Sequence, residues 1–184
     1  MKIQQLKSDF KDVTKFVIDD TYASFVNVLR RACTFEVPVL AMEDIYFVKN
    51  SSALYDEVVA HRLGLIPLST DLKSYFPIKT CKCGGEGCNR CTLKLTLKSE
   101  GPGIVTASEI KSKDPKVKPV FGDMPIAKLL KDQKIELVAT AVLGQGNDHV
   151  KFSPGLSYYQ FKPSIVIDKN PSNAQAVAAT TSVD

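Results

Sequence analysis

Tryptophan is absent from this 184-residue chain, and histidine occurs only twice, at His61 and His149. So thin a supply of imidazole leaves little material for acid–base relays or histidine-rich metal centres. No nucleophile motif and no cofactor fingerprint is present, and Gly144-Gln145-Gly146 lacks the strand–turn–helix frame of a phosphate cradle. No apolar run approaches the roughly 20 residues that span a bilayer. The start, Met1-Lys2-Ile3-Gln4-Gln5-Leu6-Lys7, carries no apolar signal segment, so a soluble, cytoplasmic protein without membrane contact is expected. For the same reason the glycosylation pattern at Asn50-Ser51-Ser52 carries little weight. A strong charge is lacking too. The net charge of +4 is mild, and the densest basic stretch, Lys111, Lys113, Lys116 and Lys118, has no interleaved aromatic residue for base stacking.

What the chain does have is a cluster of cysteines. Cys81, Cys83, Cys88 and Cys91 lie in the run Cys-Lys-Cys-Gly-Gly-Glu-Gly-Cys-Asn-Arg-Cys. Two close pairs joined by a glycine-rich loop fold back so that four thiolates converge, and Gly84, Gly85 and Gly87 supply the backbone angles of such a knuckle. One structural zinc ion is the reading adopted. Four cysteine ligands leave no open position for water, so the metal holds a loop together and activates nothing. Two disulfides, an iron–sulfur cluster and a metal-free loop are the alternatives. The reducing compartment argues against the first, and the absence of ferredoxin spacing with its trailing proline against the second. Cys33, alone on an expected helix, reads as a small buried apolar residue.

With 44% hydrophobic residues the chain can bury a true core. Lys15–Ile18 reads as a strand, and Asp19-Asp20-Thr21 offers N-caps for a helix. In it Tyr22, Phe25, Val26, Leu29 and Cys33 form one apolar stripe, with Asn27, Arg30 and Arg31 off it. Pro38 ends that helix. Ile45–Val48 is a second strand, and Asn50-Ser51-Ser52 is expected to cap a helix through about Leu63. Asp56 and Glu57 suit its first turn, His61 and Arg62 its last, and Gly64 its stop. Glu57 and His61, four apart, could share a metal or a proton, but such a pair is far more often an ordinary surface pair.

Beyond the knuckle, Thr92–Lys98 alternates polar and apolar with period two and reads as a half-buried strand. Gly101-Pro102-Gly103 is a turn, Ile104–Ala107 a partner strand, and Lys111–Pro119 an exposed loop. Lys134–Leu143 is a strand with Ile135, Leu137, Ala139, Ala141 and Leu143 on one face, followed by a loop at Gly144–Asp148. Tyr158–Phe161 and Ile165–Ile167 are short strand candidates. The polar stretch from Lys169 to Asp184 is expected to be disordered.

Three motifs together resemble a known family. Phe25-Val26-Asn27-Val28-Leu29-Arg30-Arg31, Val37-Pro38-Val39-Leu40-Ala41, and the run from Asp56 through His61-Arg62-Leu63-Gly64-Leu65-Ile66-Pro67 to Leu68 are similar to the D-type subunit of archaeal DNA-directed RNA polymerase. The match continues through Asp114-Pro115, Gly122–Ile126, Gln133-Lys134-Ile135 and Gly144-Gln145-Gly146 to His149–Pro154. That family is related to the third-largest subunit of eukaryotic RNA polymerase II and to the amino-terminal domain of the bacterial α subunit.

The resemblance implies an α+β fold. A discontinuous α/β dimerisation domain, residues 1–41 and 156–168, would hold an inserted mainly-β domain, residues 42–155, with the four-cysteine knuckle, and residues 169–184 would form a tail. It implies a non-catalytic assembly subunit of a DNA-directed RNA polymerase, pairing with an L-like subunit and docking a large catalytic subunit, with small accessory polymerase subunits as further partners. It places the subunit interfaces at Tyr22, Phe25, Val26, Leu29, Arg30 and Arg31, and at Asp56, Glu57, His61 and Arg62. The stripe alone leaves open whether it faces the partner or the chain's own sheet. No sequence-specific nucleic-acid contact is implied. Family members usually continue past the strand near residues 165–167 into a long helix that completes the dimer interface. Here a separate polypeptide would supply that part, or the chain is truncated, or it pairs through a reduced interface. The rival reading is a free-standing zinc-ribbon nucleic-acid module, which would need a basic face with exposed aromatics.

Overall fold

The computed structural model describes residues 1–164. They form two compact units, one of residues 1–21 with 159–164, the other of residues 22–158. In the first, β1 (Lys2–Leu6) and β2 (Lys15–Asp19) pair antiparallel from Lys2↔Asp19 to Leu6↔Lys15. Two strands bury little by themselves, and Ile3 and Phe16 stay exposed.

The second unit is built on a sheet. Its elements are α1 (Ala23–Phe35), β3 (Val39–Asn50), α2 (Asp56–Gly64), β4 (Thr92–Glu100), β5 (Gly103–Thr106), β6 (Lys111–Ser112), β7 (Pro125–Leu129) and β8 (Lys134–Gly144). The main sheet has the order β3-β8-β4-β6, every neighbour antiparallel, and β5 pairs with β7 separately. Central β8 alternates as expected: Ile135, Leu137, Ala139, Ala141 and Leu143 are all buried. The small Ala139 and Ala141 sit between larger partners. Leu95 and Ile45 lie opposite Ala139, and Leu93 and Met42 opposite Ala141, so bulk and gap interlock across three strands. Val59 and Leu63 of α2, with Ile66, Leu68, Val105, Ile126 and Leu129, cover this face. Among the described residues the other face carries a small cluster of Ala41, Val142 and Phe152, with Ile78 against it.

Several local expectations are corrected. Ile45–Val48 is not a separate strand but part of β3, which runs from Val39 to Asn50. A bulge between Met42 and Asp44 shifts the inward-facing residues from Leu40 and Met42 to Ile45 and Phe47. Neither helix is capped where expected. Asp19 closes β2 and Asp20 takes a φ of 55°, so Tyr22 is the N-cap of α1. Asn50 and Ser52 bond to one another and to Leu54 within the β3–α2 turn, leaving Tyr55 as the N-cap of α2. The strand at Ile104 pairs with β7, not with β4. Tyr158–Phe161 forms no strand, and Ile165–Ile167 and the stretch from Lys169 lie outside the described residues. Cys33 is exposed, not buried.

The basic stretch is not a free loop either. β6 sits on the edge of β4, Leu95↔Ser112, and Val117 is fully buried while the lysines on either side of it point outward. The segment runs beside residues 67–75. Ser69 N donates to Lys118 O (2.9 Å), Val120 N to Pro67 O (2.9 Å), and the Tyr75 hydroxyl to Asp114 (2.9 Å). Asp71 binds Lys116 Nζ (3.0 Å) and accepts from Ser74 Oγ (2.9 Å) and Lys73 N (3.0 Å). Lys116, then Ser74, hold the Asp71 carboxyl down to about 2. A carboxyl depressed by folding stabilises above its unfolded value, near 4, and loses that contribution as pH falls toward 2. Asp71→Asn should therefore be less stable than the parent at neutral pH and converge with it near pH 2. Denaturant midpoints measured across that range check this, and a gap that persists at pH 2 would contradict the assignment.

Candidate metal centre and exposed helix surfaces

The knuckle is made of tight turns. Gly84 N donates to Cys81 O (3.1 Å), and Cys91 N and Thr92 N both donate to Cys88 O (2.9 Å each). Gly84, Gly85 and Gly87 take φ values of +69°, +95° and +85°, a region costly to residues with a Cβ. At its base Cys91 is fully buried, immediately before β4. The four Sγ atoms lie within 4.8 Å of one another, with Cys81–Cys88 at 3.5 Å, Cys83–Cys91 at 3.6 Å and Cys88–Cys91 at 3.8 Å.

These spacings fit one ion. Thiolates about 2.3 Å from a tetrahedral centre stand about 3.8 Å apart, whereas a disulfide needs about 2.05 Å. The backbone N–H groups of Cys88 and Gly85 point at Cys83 and hold its thiol down to about 5. Burial, then the neighbouring thiols of Cys83, Cys81 and Cys88, pushes Cys91 up to about 12. A cation amid these sulfurs would favour the thiolate form of all four. The donor set therefore suits a soft, closed site, and the sequence expectation of which four residues converge is met.

α1 presents a different kind of surface. It buries none of its residues: Tyr22 is 82% exposed, Phe25 40% and Leu29 37%, with Val26 intermediate. Val28, off the expected stripe, is 62% exposed. Arg30 Nε donates to Asn27 Oδ1 (3.0 Å), so this residue is partly engaged within the helix, while Arg31 is exposed. On α2, Asp56 accepts from Asn50 Nδ2 (2.7 Å), and Glu57 and His61 face solvent one turn apart. Arg62 is exposed, yet its Nη1 donates to Ile126 O (2.8 Å), which ties α2 to β7. Sequence reasoning missed the outward apolar residues of this region, Tyr55, Val58 and Leu65, all exposed. Their spacing with Arg62, at i, i+3, i+7 and i+10, marks one helical face and was legible. His149 does no acid–base work visible in its contacts; its Nδ1 accepts from Lys151 N (3.1 Å) at a short 3-10 turn.

Residues 45–157 match the family described as the RNA polymerase Rpb3/RpoA insert domain. The chain belongs to that family. Among curated relatives, it is 45% identical over 156 residues to the DNA-directed RNA polymerase subunit Rpo3 of Methanosarcina acetivorans, 84% of this chain and 59% of the relative. It is 39% identical over 178 residues to the Rpo3 of Pyrococcus horikoshii, covering 97% and 66%, and 40% identical over 166 residues to that of Pyrococcus furiosus, covering 90% and 61%. The chain thus spans about three fifths to two thirds of the length of these relatives. The resemblance to the archaeal polymerase family that the motifs of α1 and α2 carry is borne out. In this insert-domain protein the matched region takes in most of β3, α2, the cysteine cluster and the rest of the main sheet, whereas α1 precedes it. Among the described residues no helix is long and apolar enough to cross a membrane.

Proposed function

We propose that this chain is a non-catalytic assembly subunit of a multisubunit DNA-directed RNA polymerase, acting in the cytoplasm. In this reading α1 pairs with an L-like subunit, and the surface around α2 docks a large catalytic subunit. Small accessory subunits are further partners. The observation that carries the reading is α1 itself, a helix inside the stretch shared with the Pyrococcus horikoshii relative whose apolar stripe is only partly covered, with none of its residues fully buried. A chain in water gains by covering such a stripe, and an obligate partner is the ordinary way to do so. The beginning and end of the chain are proposed to form the dimerisation domain, with residues 42–155 inserted and β3 leading from one to the other. The four cysteines are proposed to hold one structural zinc ion.

Co-expression with an L-like subunit and a large polymerase subunit, followed by mild purification, tests this. Recovery of the chain alone would overturn it, and capture of nucleic acid without any polymerase subunit would favour a zinc-ribbon module instead. Single substitutions separate the two surfaces. Arg31 is exposed, so Arg31→Ala should leave the fold intact and weaken recovery of the complex at raised salt. Arg62→Ala also removes the bond to Ile126 O and should lower the chain's own stability by about 1 kcal/mol as well as weakening recruitment of the large subunit. Normal assembly by both variants would remove these arginines from the interface.

A further inference from the structure

A helix that buries none of its residues still needs something to fix its direction, and the loop after β8 supplies it. Gln145 Nε2 donates to Glu36 O (2.7 Å), and Asn147 N donates to Phe35 O (3.2 Å). These are carbonyls at the end of α1 that the helix itself leaves without donors. Gly146 lies so close beneath them that a Cβ there would run into the Thr34 carbonyl and stand 3.2 Å from Phe35 Cα. The loop is in turn braced. Gln145 O accepts from Asp148 N (2.9 Å), Asp148 pairs with Lys79 (3.7 Å), and a Cβ at Gly144 would stand 2.8 Å from the ring of Phe152, which is buried against the sheet with Ala41 and Val142.

We infer that residues 144–147 are a positioning clasp that couples the sheet to α1 and holds the helix in the pose in which it meets its partner. The inference rests on the reading of α1 as the pairing surface. A helix without the clasp would have to be ordered at the moment of binding, and that ordering weakens the complex. Gln145 is the side chain on which the clasp turns, because its N–H is the only side-chain donor from this loop to the helix end among the described residues.

The test is the affinity of the full chain for an L-like subunit, measured together with amide hydrogen exchange. Gln145→Glu keeps the size of the side chain, removes the donor and sets a negative charge beside the negative end of the helix. Pairing should weaken by about two- to tenfold, with faster exchange at 32–36 and unchanged exchange in β8. Gln145→Lys restores a donor of favourable charge and should recover both readouts. Wild-type affinity in Gln145→Glu, failure of the lysine variant to recover, or parallel loss of protection in β8 would each overturn the clasp. Phe25→Asp separates the two ideas. If it abolishes pairing while Gln145→Glu does nothing, the clasp alone fails; if Phe25→Asp pairs normally, the reading of α1 fails and the clasp with it.

Discussion

Replacing Cys88 by serine is expected to take the metal content from about one ion per chain to none, because three remaining thiolates cannot close a tetrahedral structural site. The binding free energy of such a site, about 10–16 kcal/mol in isolated zinc-finger peptides, is folding free energy for whatever the metal orders. In the proposed site that would be the segment between Thr80 and Thr92. Its turns hang on Cys88, whose carbonyl accepts from both Cys91 N and Thr92 N. The core on the inner face of the sheet is made without it, from α2, β5, β7 and the three long strands. Exchange protection should therefore collapse at 81–91 and persist in β8, and a chelator acting on the parent protein should reproduce the pattern. Protein purified under reducing conditions without chelator that holds no zinc would mean that the knuckle is ordered by its turns alone.

How much of the fold is legible in the sequence follows from what a period can encode. β4 and β8 are legible because Leu93, Leu95 and Leu97 of one and Ile135, Leu137, Ala139, Ala141 and Leu143 of the other recur with period two on one buried face, although Val142 is buried on the opposite face of β8 as well. Only a fragment of β3 is legible, because its bulge moves the inward residues from even to odd numbers, and a period-two pattern breaks at such a shift. β6 and β7 escape for other reasons. β6 has two residues, and β7 is a five-residue strand opened by Pro125 whose pairing with β5 depends on contacts no local pattern records. The lysines around Val117 hide a buried residue among charges, so composition suggests a loop where a paired strip lies.

The sites divide in the same way. The knuckle is fully legible, since ligand type, spacing and glycines all sit in one short run. Cys33 is misleading because an apolar stripe suggests burial, while the structure leaves that face open. Helical periodicity specifies that a face is apolar and is silent about what covers it. The role of Arg62 is half legible. Its place in the last turn of α2 is clear, but its bond to a carbonyl 64 residues away belongs to the tertiary fold. The Gly144-Gln145-Gly146 run, which cannot be a phosphate cradle, has a structural use that only the position of α1 reveals.

The second large effect is expected at that open face. Phe25→Asp with Leu29→Asp should abolish pairing with an L-like subunit, because central aromatic and aliphatic anchors carry most of an interface's energy and each costs about 2 kcal/mol or more when lost, roughly thirtyfold in affinity. Introducing charge adds desolvation to the loss of contact. Neither residue is buried within the chain, so the fold itself should survive. The same substitutions should improve the behaviour of the chain without its partner. As it stands, Tyr22, Phe25, Val28 and Leu29 are all exposed along one helix and its N-cap, and apolar surface gathered in this way favours self-association. Light scattering across a concentration series is the check: the parent chain alone should grow in apparent mass while the double variant stays monodisperse. A parent chain that remains a stable monomer at high concentration would mean that the patch is covered from within, and the partner surface would have to be sought elsewhere on the molecule.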